Sequence, residues 1–214
     1  MASEPIRPND IRRSDVERTY RAYAPIYDAV FGVALDPGRT ALIRAVAALA
    51  PARLLEVGVG TGLTLKRYPS SSSITGIDVS AEMLRVAARR VNGALSGRVV
   101  LREMDAEAME FDDDAFDCVT LPFVLSVTPD PDRLVAEVRR VCRPGGDILI
   151  VNHFSGVRLA RPIERALGPL AARIGFRSEF SFERYIASYD WTVLSSKSAN
   201  LFGLSKLVHV RNDK

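Results

Sequence analysis

The feature that most constrains the fold is the run from Leu54 to Gly62, in which an apolar stretch ends in Glu56 and is followed by Gly58, Gly60 and Gly62. The apolar residues predict a buried strand. Glycines at alternating positions predict a turn that side chains do not tolerate. In open α/β sheets, ligands bind beside such turns, at the carboxyl ends of the strands. We therefore expect a ligand where this strand ends.

A second strand-like run begins at Ile74 and ends in Asp78, twenty-two positions after Glu56. A carboxylate at this place can accept hydrogen bonds from both ribose hydroxyls of an adenosine. No Lys-Ser or Lys-Thr pair follows the glycines, as a P-loop would require. Leu63 also stands where the dinucleotide fingerprint, counted from Gly58, needs its third glycine. Because Glu56 would repel a pyrophosphate, the pattern favours an adenosine cofactor with a cationic end, such as S-adenosyl-L-methionine. A degenerate dinucleotide site is the alternative.

The pattern E-x-G-x-G-x-G, followed by an acid-tipped second strand, resembles motif I and its partner in class I S-adenosylmethionine-dependent methyltransferases. Strand-like and helix-like segments also alternate, which predicts a parallel sheet with helices on both faces. The expected strands are 53–58, 74–78, 99–104, 116–121 and 146–152, and the expected helices are 39–49, 61–67, 80–92 and 131–142. Two strand-like runs near the end, from Trp191 to Ala199 and from Ser205 to Arg211, predict an antiparallel hairpin. We expect an α/β, Rossmann-like sheet of seven strands that ends in this hairpin, with an N-terminal helical lid.

The chain of 214 residues is predicted to be one methyltransferase domain, 1–214. Residues 1–38 form its helical lid or membrane-contact segment, and 39–214 form the cofactor-binding core, with a basic helical insertion around 156–180. A net charge of +3 and 47% hydrophobic residues are ordinary for a globular protein. We see no signal peptide and no apolar stretch long enough to span a bilayer. Two unclustered cysteines, Cys118 and Cys142, indicate reduced structural thiols in the cytoplasm, with no disulfide framework and no metal site.

Several positions at the expected carboxyl edge of the sheet suit the cofactor. Asp105 follows the third strand and can accept from the adenine amino group, or it caps a helix. Met83 can stack on adenine or fill the core. Leu121 stands at the end of the fourth strand, where apolar residues are core by default. The full set of predicted cofactor-binding residues is Tyr20, Glu56, Gly58, Gly60, Asp78, Val79, Met83, Asp105, Ala106 and Leu121.

The N-terminal segment places Val16, Tyr20, Tyr23 and Tyr27 on one helical face, which Pro25 interrupts. Arginines lie on the opposite face. One interpretation is a lid that turns its tyrosines towards the active site. The other is a helix that also lies on an anionic membrane surface.

A second basic segment, Arg158 to Arg177, alternates arginines with apolar residues at helical spacing. It is either a surface helix packed on the sheet or a lid for a phosphate-bearing or membrane-borne substrate. His153 follows the fifth strand, where it contacts substrate or plays a structural part. Basic residues interleaved with exposed aromatics are missing, so we expect no nucleic acid partner.

Beyond the cofactor motifs, the sequence is similar to the bacterial phosphatidylethanolamine N-methyltransferases of the PmtA type. The resemblance rests on Tyr20-x-x-Tyr23-Ala24-x-x-Tyr27-Asp28-x-x-Phe31-Gly32, Pro37-Gly38-Arg39, the glycine motif and Asn152-His153-Phe154. The quinone-biosynthesis C-methyltransferases share Tyr27-Asp28 and are the nearest competitors.

This resemblance implies stepwise methylation of phosphatidylethanolamine to phosphatidylcholine at the inner face of the cytoplasmic membrane, with S-adenosyl-L-homocysteine as the second product. It implies peripheral membrane association, without a metal or an obligate protein partner. His153 and Tyr27 take catalytic roles, His153 as the base. The substrate-binding residues are Tyr23, Arg39, Arg158 and Arg161. A quinone or small-molecule methyltransferase, and a membrane-recruited protein that binds the cofactor without turnover, are the alternatives.

Overall fold

The computed structural model describes residues 35–153, 186, 189, 191–199 and 205–214. Within these residues the chain forms one seven-stranded sheet. The strands are β1 (Arg53–Val57), β2 (Ser73–Asp78), β3 (Val99–Glu103), β4 (Phe116–Pro122), β5 (Cys142–His153), β6 (Thr192–Ser198) and β7 (Ser205–Arg211). Their order across the sheet is β3-β2-β1-β4-β5-β7-β6.

The pairing of the strands confirms the predicted fold class. Strands β1 to β5 pair with one another in parallel, and β7 runs antiparallel to both β5 and β6, between which it lies. The strand order reverses between β1 and β4, where loops leave the sheet in opposite directions and open a crevice. A ligand site is therefore expected at the carboxyl ends of these two central strands.

The described helices are α1 (Asp36–Leu49), α2 (Ala81–Arg90) and α3 (Pro131–Val141). The side chain of Ser80 accepts the N–H of Met83 and caps α2, and the side chain of Asp130 accepts the N–H of Arg133 and caps α3. Helix α1 begins three residues before the predicted start at 39, because Pro37 is well suited to the first turn of a helix.

The predicted helix at 61–67 is wrong, since only a 3₁₀ turn forms there, Leu65–Arg67. Gly60 and Gly62 adopt left-handed φ values of +54° and +77°. An α-helix cannot pass through residues in that conformation. Pro69 then follows the turn directly after Tyr68 and stops the chain from continuing as a helix.

The fifth strand also begins earlier than predicted, at Cys142 rather than at 146. The first residues of β5, Cys142 to Gly146, form an irregularity, where the pairing with β4 shifts register between Phe116 and Cys118. Gly145 has a φ of +66° at this irregularity. Glycine allows the strand to bend there before it enters the sheet.

The apolar core lies on both faces of the sheet. One cluster packs α3 against β4 and β5 through residues such as Leu134 and Ile148. The other packs α1 through Leu42 against Leu54 of β1. Burial raises the pKa of the Cys142 thiol to about 12, which suits a structural cysteine.

The remaining predictions of domain organisation concern parts outside the described residues. Of the predicted lid, 1–38, the structure describes only residues 35–38. The basic insertion around 156–180 lies outside the described residues. Among the described helices, none combines the length and apolar character needed to cross a membrane.

Candidate functional site

A cavity of about 400 Å³ lies at the carboxyl ends of β1, β2 and β4, where the fold predicts a ligand. Most of the predicted cofactor residues in the described part of the chain surround it. The predicted residues that line the cavity are Arg39, Glu56, Gly58, Gly60, Asp78, Val79, Met83, Asp105 and Ala106. The fold thus brings together residues that lie up to 67 positions apart (39 to 106) in the sequence.

The glycine turn after β1 forms one wall of the cavity. Gly58 has a φ of +68°, and a Cβ at this position would lie 2.2 Å from Cγ2 of Val124. A Cβ on Gly60 would meet nothing within 4 Å, so open space adjoins the turn there. The first glycine is therefore needed for packing, whereas the second leaves room for a ligand close to the backbone.

Asp78 at the end of β2 fixes the shape of this turn. Its Oδ2 accepts the N–H of Gly60 at 2.8 Å, and its Oδ1 accepts the N–H of Ser80 at 2.9 Å. Burial raises the pKa of Asp78, and the backbone N–H groups oppose that rise. The carboxylate thus joins the glycine turn to the start of α2 while it lines the cavity.

Glu56 lies deeper, at the end of β1, with only 1% of its surface exposed. The hydroxyl of Thr64 donates to this carboxyl group and lies 2.7 Å from each of its oxygens. Burial raises the pKa of Glu56 to about 7, against the opposing effects of the Thr64 and Tyr68 hydroxyls and the charge of Arg39. Near neutral pH, Glu56 is therefore divided between its acid and its carboxylate form.

A second wall is built by the loop after β3. Oδ1 of Asp105 accepts the N–H of Glu107 at 2.9 Å. Oε1 of Glu107 in turn accepts the hydroxyl of Thr128 at 2.6 Å and the N–H of Asp130 at 2.8 Å. These bonds tie the loop after β3 to the segment before α3 and hold both acids at the cavity.

On the opposite side, α1 meets the end of β4. Phe123 has a φ of +63°, uncommon for a residue with a side chain, and its N–H donates to the carbonyl of Val151 at 2.7 Å. The guanidinium carbon of Arg39 lies 5.8 Å from the centre of the Phe123 ring. A Cβ on Gly38 would come within 2.8 Å of that ring, so glycine allows α1 to approach. Helix α1 thereby places Arg39, only 7% exposed, at the cavity.

The charges around the cavity are unequal. Of the described lining residues, four are acids and one, Arg39, is basic. The acids are Glu56, Asp78, Asp105 and Glu107. This composition suits a ligand that carries positive charge and hydroxyl or amino donors.

The other predicted site residues lie in the core or outside the residues that the structure describes. Leu121 is 1% exposed and belongs to the core cluster; its successors Pro122, Phe123 and Val124 line the cavity instead. The backbone of His153 ends β5 and pairs with Ser205, but its side chain is not described. The predicted residues wholly outside the described part of the chain are Tyr20, Tyr23, Tyr27, Arg158 and Arg161.

Sequence reasoning missed the polar residues that support the predicted acids. Thr64, Glu107 and Thr128 line the cavity, and Tyr68, which is not among the lining residues, lowers the pKa of Glu56 through its hydroxyl. Thr64 follows the glycine motif by two positions, and Glu107 follows Asp105 by two. Their closeness in sequence to a predicted site residue is the feature that could have identified them. Nothing in the sequence pattern singles out Tyr68.

Comparison with known proteins defines the class of this chain. Residues 55–150 match the family described as a methyltransferase domain. The fold is shared with a methyltransferase structure from Thermotoga maritima, at a TM-score of 0.70 and 19% identity, over 92% of this chain and 99% of that one. The chain belongs to the class I S-adenosylmethionine-dependent methyltransferases.

Two curated relatives are methyltransferases that are named for different substrates. The chain is 43% identical to a phosphatidylethanolamine N-methyltransferase of Cereibacter sphaeroides, over 80% of this chain and 85% of that protein. It is 39% identical to a demethylmenaquinone methyltransferase of Clavibacter sepedonicus, over 52% of this chain and 45% of that protein. The chain thus spans most of the first relative and less than half of the second.

Proposed function

We propose that this chain is a phosphatidylethanolamine N-methyltransferase that works at an anionic membrane surface and forms phosphatidylcholine in steps. The observation that carries the proposal is the buried Arg39 beside the Phe123 ring, within an otherwise acidic cavity. A zwitterionic headgroup offers an anion for Arg39 and a cation for its acidic and aromatic surroundings. The relative that this chain matches over most of its length supports the same substrate.

The residues of the cavity fit S-adenosylmethionine, which the family implies. Asp78 is placed to accept from ribose hydroxyls, and Asp105 from the adenine amino group. Glu56 is placed to attract a cationic amino-acid end, and the open side of Gly60 gives space for close backbone approach. Met83 and Val79 supply apolar contacts. When bound, the cofactor supplies a methyl group on a cationic sulfur, so the protein needs to provide no nucleophile of its own.

The acceptor is held on the Arg39 side of the cavity. The guanidinium can donate two parallel hydrogen bonds to a phosphodiester. Ammonium groups are attracted to aromatic faces, which Phe123 provides here and the tyrosines of the predicted lid would extend. The ethanolamine nitrogen must lose a proton before it can accept a methyl group, and we assign that proton to His153, assisted by Tyr27.

The lipid substrate calls for contact with the membrane surface. We assign this contact to the two basic segments, with Tyr23, Arg158 and Arg161 near the lipid phosphate. Peripheral association through such segments depends on electrostatic attraction to anionic lipids. It therefore weakens when the salt concentration rises.

The test is methyl transfer from labelled S-adenosylmethionine by the full chain. The acceptors are vesicles of phosphatidylethanolamine mixed with an anionic lipid and, separately, demethylmenaquinone in a neutral carrier. We expect label in mono-, di- and trimethylated lipid and none in the quinone. Labelled quinone with unlabelled lipid would overturn the proposal in favour of a quinone C-methyltransferase. S-adenosylhomocysteine binding without label in either acceptor would favour a protein that holds the cofactor without turnover.

Replacing Arg39 by lysine tests the proposed anion site. The Arg39→Lys variant keeps the positive charge near Glu56 but loses the planar fork and its contact with Phe123. We expect the KM for phosphatidylethanolamine vesicles to rise about tenfold, with S-adenosylhomocysteine affinity within about threefold of wild type. The measurement is initial rates against lipid concentration, together with calorimetric titration of S-adenosylhomocysteine.

The matched control is Arg53→Lys, at the amino end of β1. Arg53 is half exposed and pairs with Asp117, far from the cavity. We expect this control to behave like wild type. An Arg39→Lys variant that binds S-adenosylhomocysteine poorly at an unchanged lipid KM would contradict the assignment, because Arg39 would then hold the cofactor.

A further inference from the structure

The deepest part of the site contains a buried network of hydroxyl groups around one acid. Thr64 is 2% exposed, Tyr68 is 3% exposed and Thr120 is fully buried. The hydroxyl of Thr120 donates to the carbonyl of Leu55 at 3.2 Å and lies 3.5 Å from the hydroxyl of Tyr68, which is longer than an ordinary O–H···O hydrogen bond. Burial raises the pKa of Tyr68 well above its usual value, so its hydroxyl keeps its one proton, and donation of that proton to Glu56 lowers the pKa of the acid. Two hydroxyl donors, Thr64 and Tyr68, therefore surround Glu56.

These donors bear directly on the protonation of Glu56. Hydroxyl groups that donate to a carboxylate favour its ionised form, and burial favours the neutral form. The two effects oppose each other here, together with attraction from Arg39 of α1 and repulsion from Asp78 of β2. The balance leaves the pKa of Glu56 at about 7. A positive charge placed beside the carboxyl group would shift this balance towards ionisation.

We propose that Thr64 and Tyr68 are positioning residues that hold Glu56 ready to ionise, so that cofactor binding releases a proton from Glu56 to solvent. The O–H bond of Glu56 breaks, its electron pair stays on the carboxylate, and the proton passes to buffer. The ammonium of the cofactor then faces a carboxylate held by two hydroxyl donors. This inference rests on the cofactor half of the proposed function and does not depend on the identity of the methyl acceptor.

The sign of the pH dependence follows from this linkage. Below pH 7, binding must remove a proton from Glu56, so affinity rises by up to about tenfold per pH unit. Above pH 7 the carboxylate is already formed and this rise ends. The stability of the ligand-free protein changes with pH in the opposite direction. Its Glu56 holds a proton that the unfolded chain has lost, so stability falls as pH rises from the unfolded pKa of 4.5 to about 7.

The experiment is calorimetric titration of the full chain with S-adenosylhomocysteine between pH 5.5 and 8.5, in pairs of buffers that differ in ionisation enthalpy. The heat difference between buffers gives the number of protons released. Because the cofactor's amino group also titrates, each variant is compared with Glu56→Gln, which has no acid to ionise. We expect wild type to release more protons than Glu56→Gln below pH 7. In thermal melts without ligand, wild type should lose stability relative to Glu56→Gln over the same rise in pH.

Tyr68→Phe removes one donor and keeps the ring. We expect the pH midpoint of binding to move upward by about half a unit to one unit, with affinity near wild type at pH 8.5. Thr64→Val should move the midpoint in the same direction, and Thr64→Ser, which keeps the hydroxyl, should restore it. Tyr189→Phe is the matched control, because the hydroxyl of Tyr189 donates to Asp132, which does not line the cavity. We expect its profile to match wild type.

Two results would overturn the inference. If Tyr68→Phe and Thr64→Val weaken binding equally at every pH, these residues act through packing alone. If wild type and Glu56→Gln release the same number of protons, Glu56 does not ionise on binding. Neither result bears on which lipid is methylated, and failure of the lipid assay leaves this titration interpretable. A chain that does not bind S-adenosylhomocysteine at any pH would overturn both the cofactor site and the inference.

Discussion

Gly58→Ala is expected to lower the affinity for S-adenosylhomocysteine by about 100-fold or more and to abolish methyl transfer. The φ of +68° at this position disfavours any residue with a Cβ. The added methyl group would also lie 2.2 Å from Cγ2 of Val124, a contact that no side chain tolerates. Val124 is β-branched and therefore stiff, and it lines the cavity. Relief of the clash must move either the glycine turn or the loop after β4, and each forms a wall of the site.

Gly145→Ala is the control that separates the cost of a positive φ from the cost of the clash with Val124. Gly145 has nearly the same φ, +66°, but a Cβ there would meet nothing within 4 Å. We expect this variant to lose about 1–2 kcal/mol of stability and to bind S-adenosylhomocysteine like wild type. Calorimetric titration and thermal melts of both variants provide the comparison.

A second substitution tests whether the clash with Val124 is the cause. Val124→Ala removes the methyl group that the new side chain would strike. The double variant Gly58→Ala/Val124→Ala should therefore recover about tenfold in affinity over Gly58→Ala alone. No recovery in a folded double variant would mean that backbone conformation alone, and not close packing, requires glycine at this position.

The sequence predicted the parts of this site that depend on backbone geometry at strand ends. The glycines at 58 and 60 and the acids at 56, 78 and 105 lie at the predicted strand ends or in the turns that follow, and all of them line the cavity. Local chemistry fixes these positions, because a strand that ends in a glycine turn or an acid is visible without tertiary structure. The same reasoning failed at 61–67, where glycines with positive φ prevent the helix that composition alone would allow.

Residues that matter through packing were not predictable in this way. Tyr68 reaches Glu56 only because the residue after the 3₁₀ turn is buried in the core cluster that contains Leu54 of β1. Glu107 and Thr128 lie 21 positions apart and meet only when the loop after β3 approaches α3. No local sequence pattern distinguishes these three residues from polar residues at the surface. The sequence therefore predicts the residues at strand ends better than the partners that orient them.

The site residues determine the identity of the methyl acceptor less closely than that of the cofactor. The cofactor half uses backbone turns and acids that suit any member of the family, so it does not distinguish a lipid from a quinone. In the proposed function, Arg39 and Phe123 make the distinction, because a guanidinium can donate two parallel hydrogen bonds to a phosphodiester. The lipid phosphate supplies such an anion, and a neutral quinone headgroup does not. Under this proposal, the choice of substrate depends on how α1 meets the end of β4.

Asp78→Asn is expected to weaken S-adenosylhomocysteine binding by about 100-fold, although the two side chains have nearly the same size. Asp78 accepts two backbone N–H groups, one on each oxygen. An asparagine has a single acceptor oxygen, so its amide nitrogen must face one of these donors. A buried N–H without a partner costs about 1–3 kcal/mol. The glycine turn, the start of α2 or both must then shift, and the acceptor proposed for the ribose hydroxyls is lost.

Asp130→Asn is the matched control. Asp130 accepts one backbone N–H, that of Arg133, and asparagine caps helices about as well as aspartate. We expect this variant to bind and melt like wild type. The pH dependence gives a second check. Burial raises the pKa of Asp78, so lowering the pH through that value makes the wild-type side chain neutral, as asparagine is. The affinities of wild type and Asp78→Asn should therefore converge at low pH and diverge as the pH rises. A constant ratio across this range would show that the charge of Asp78 does not act on the cofactor and that its part is limited to holding the turn.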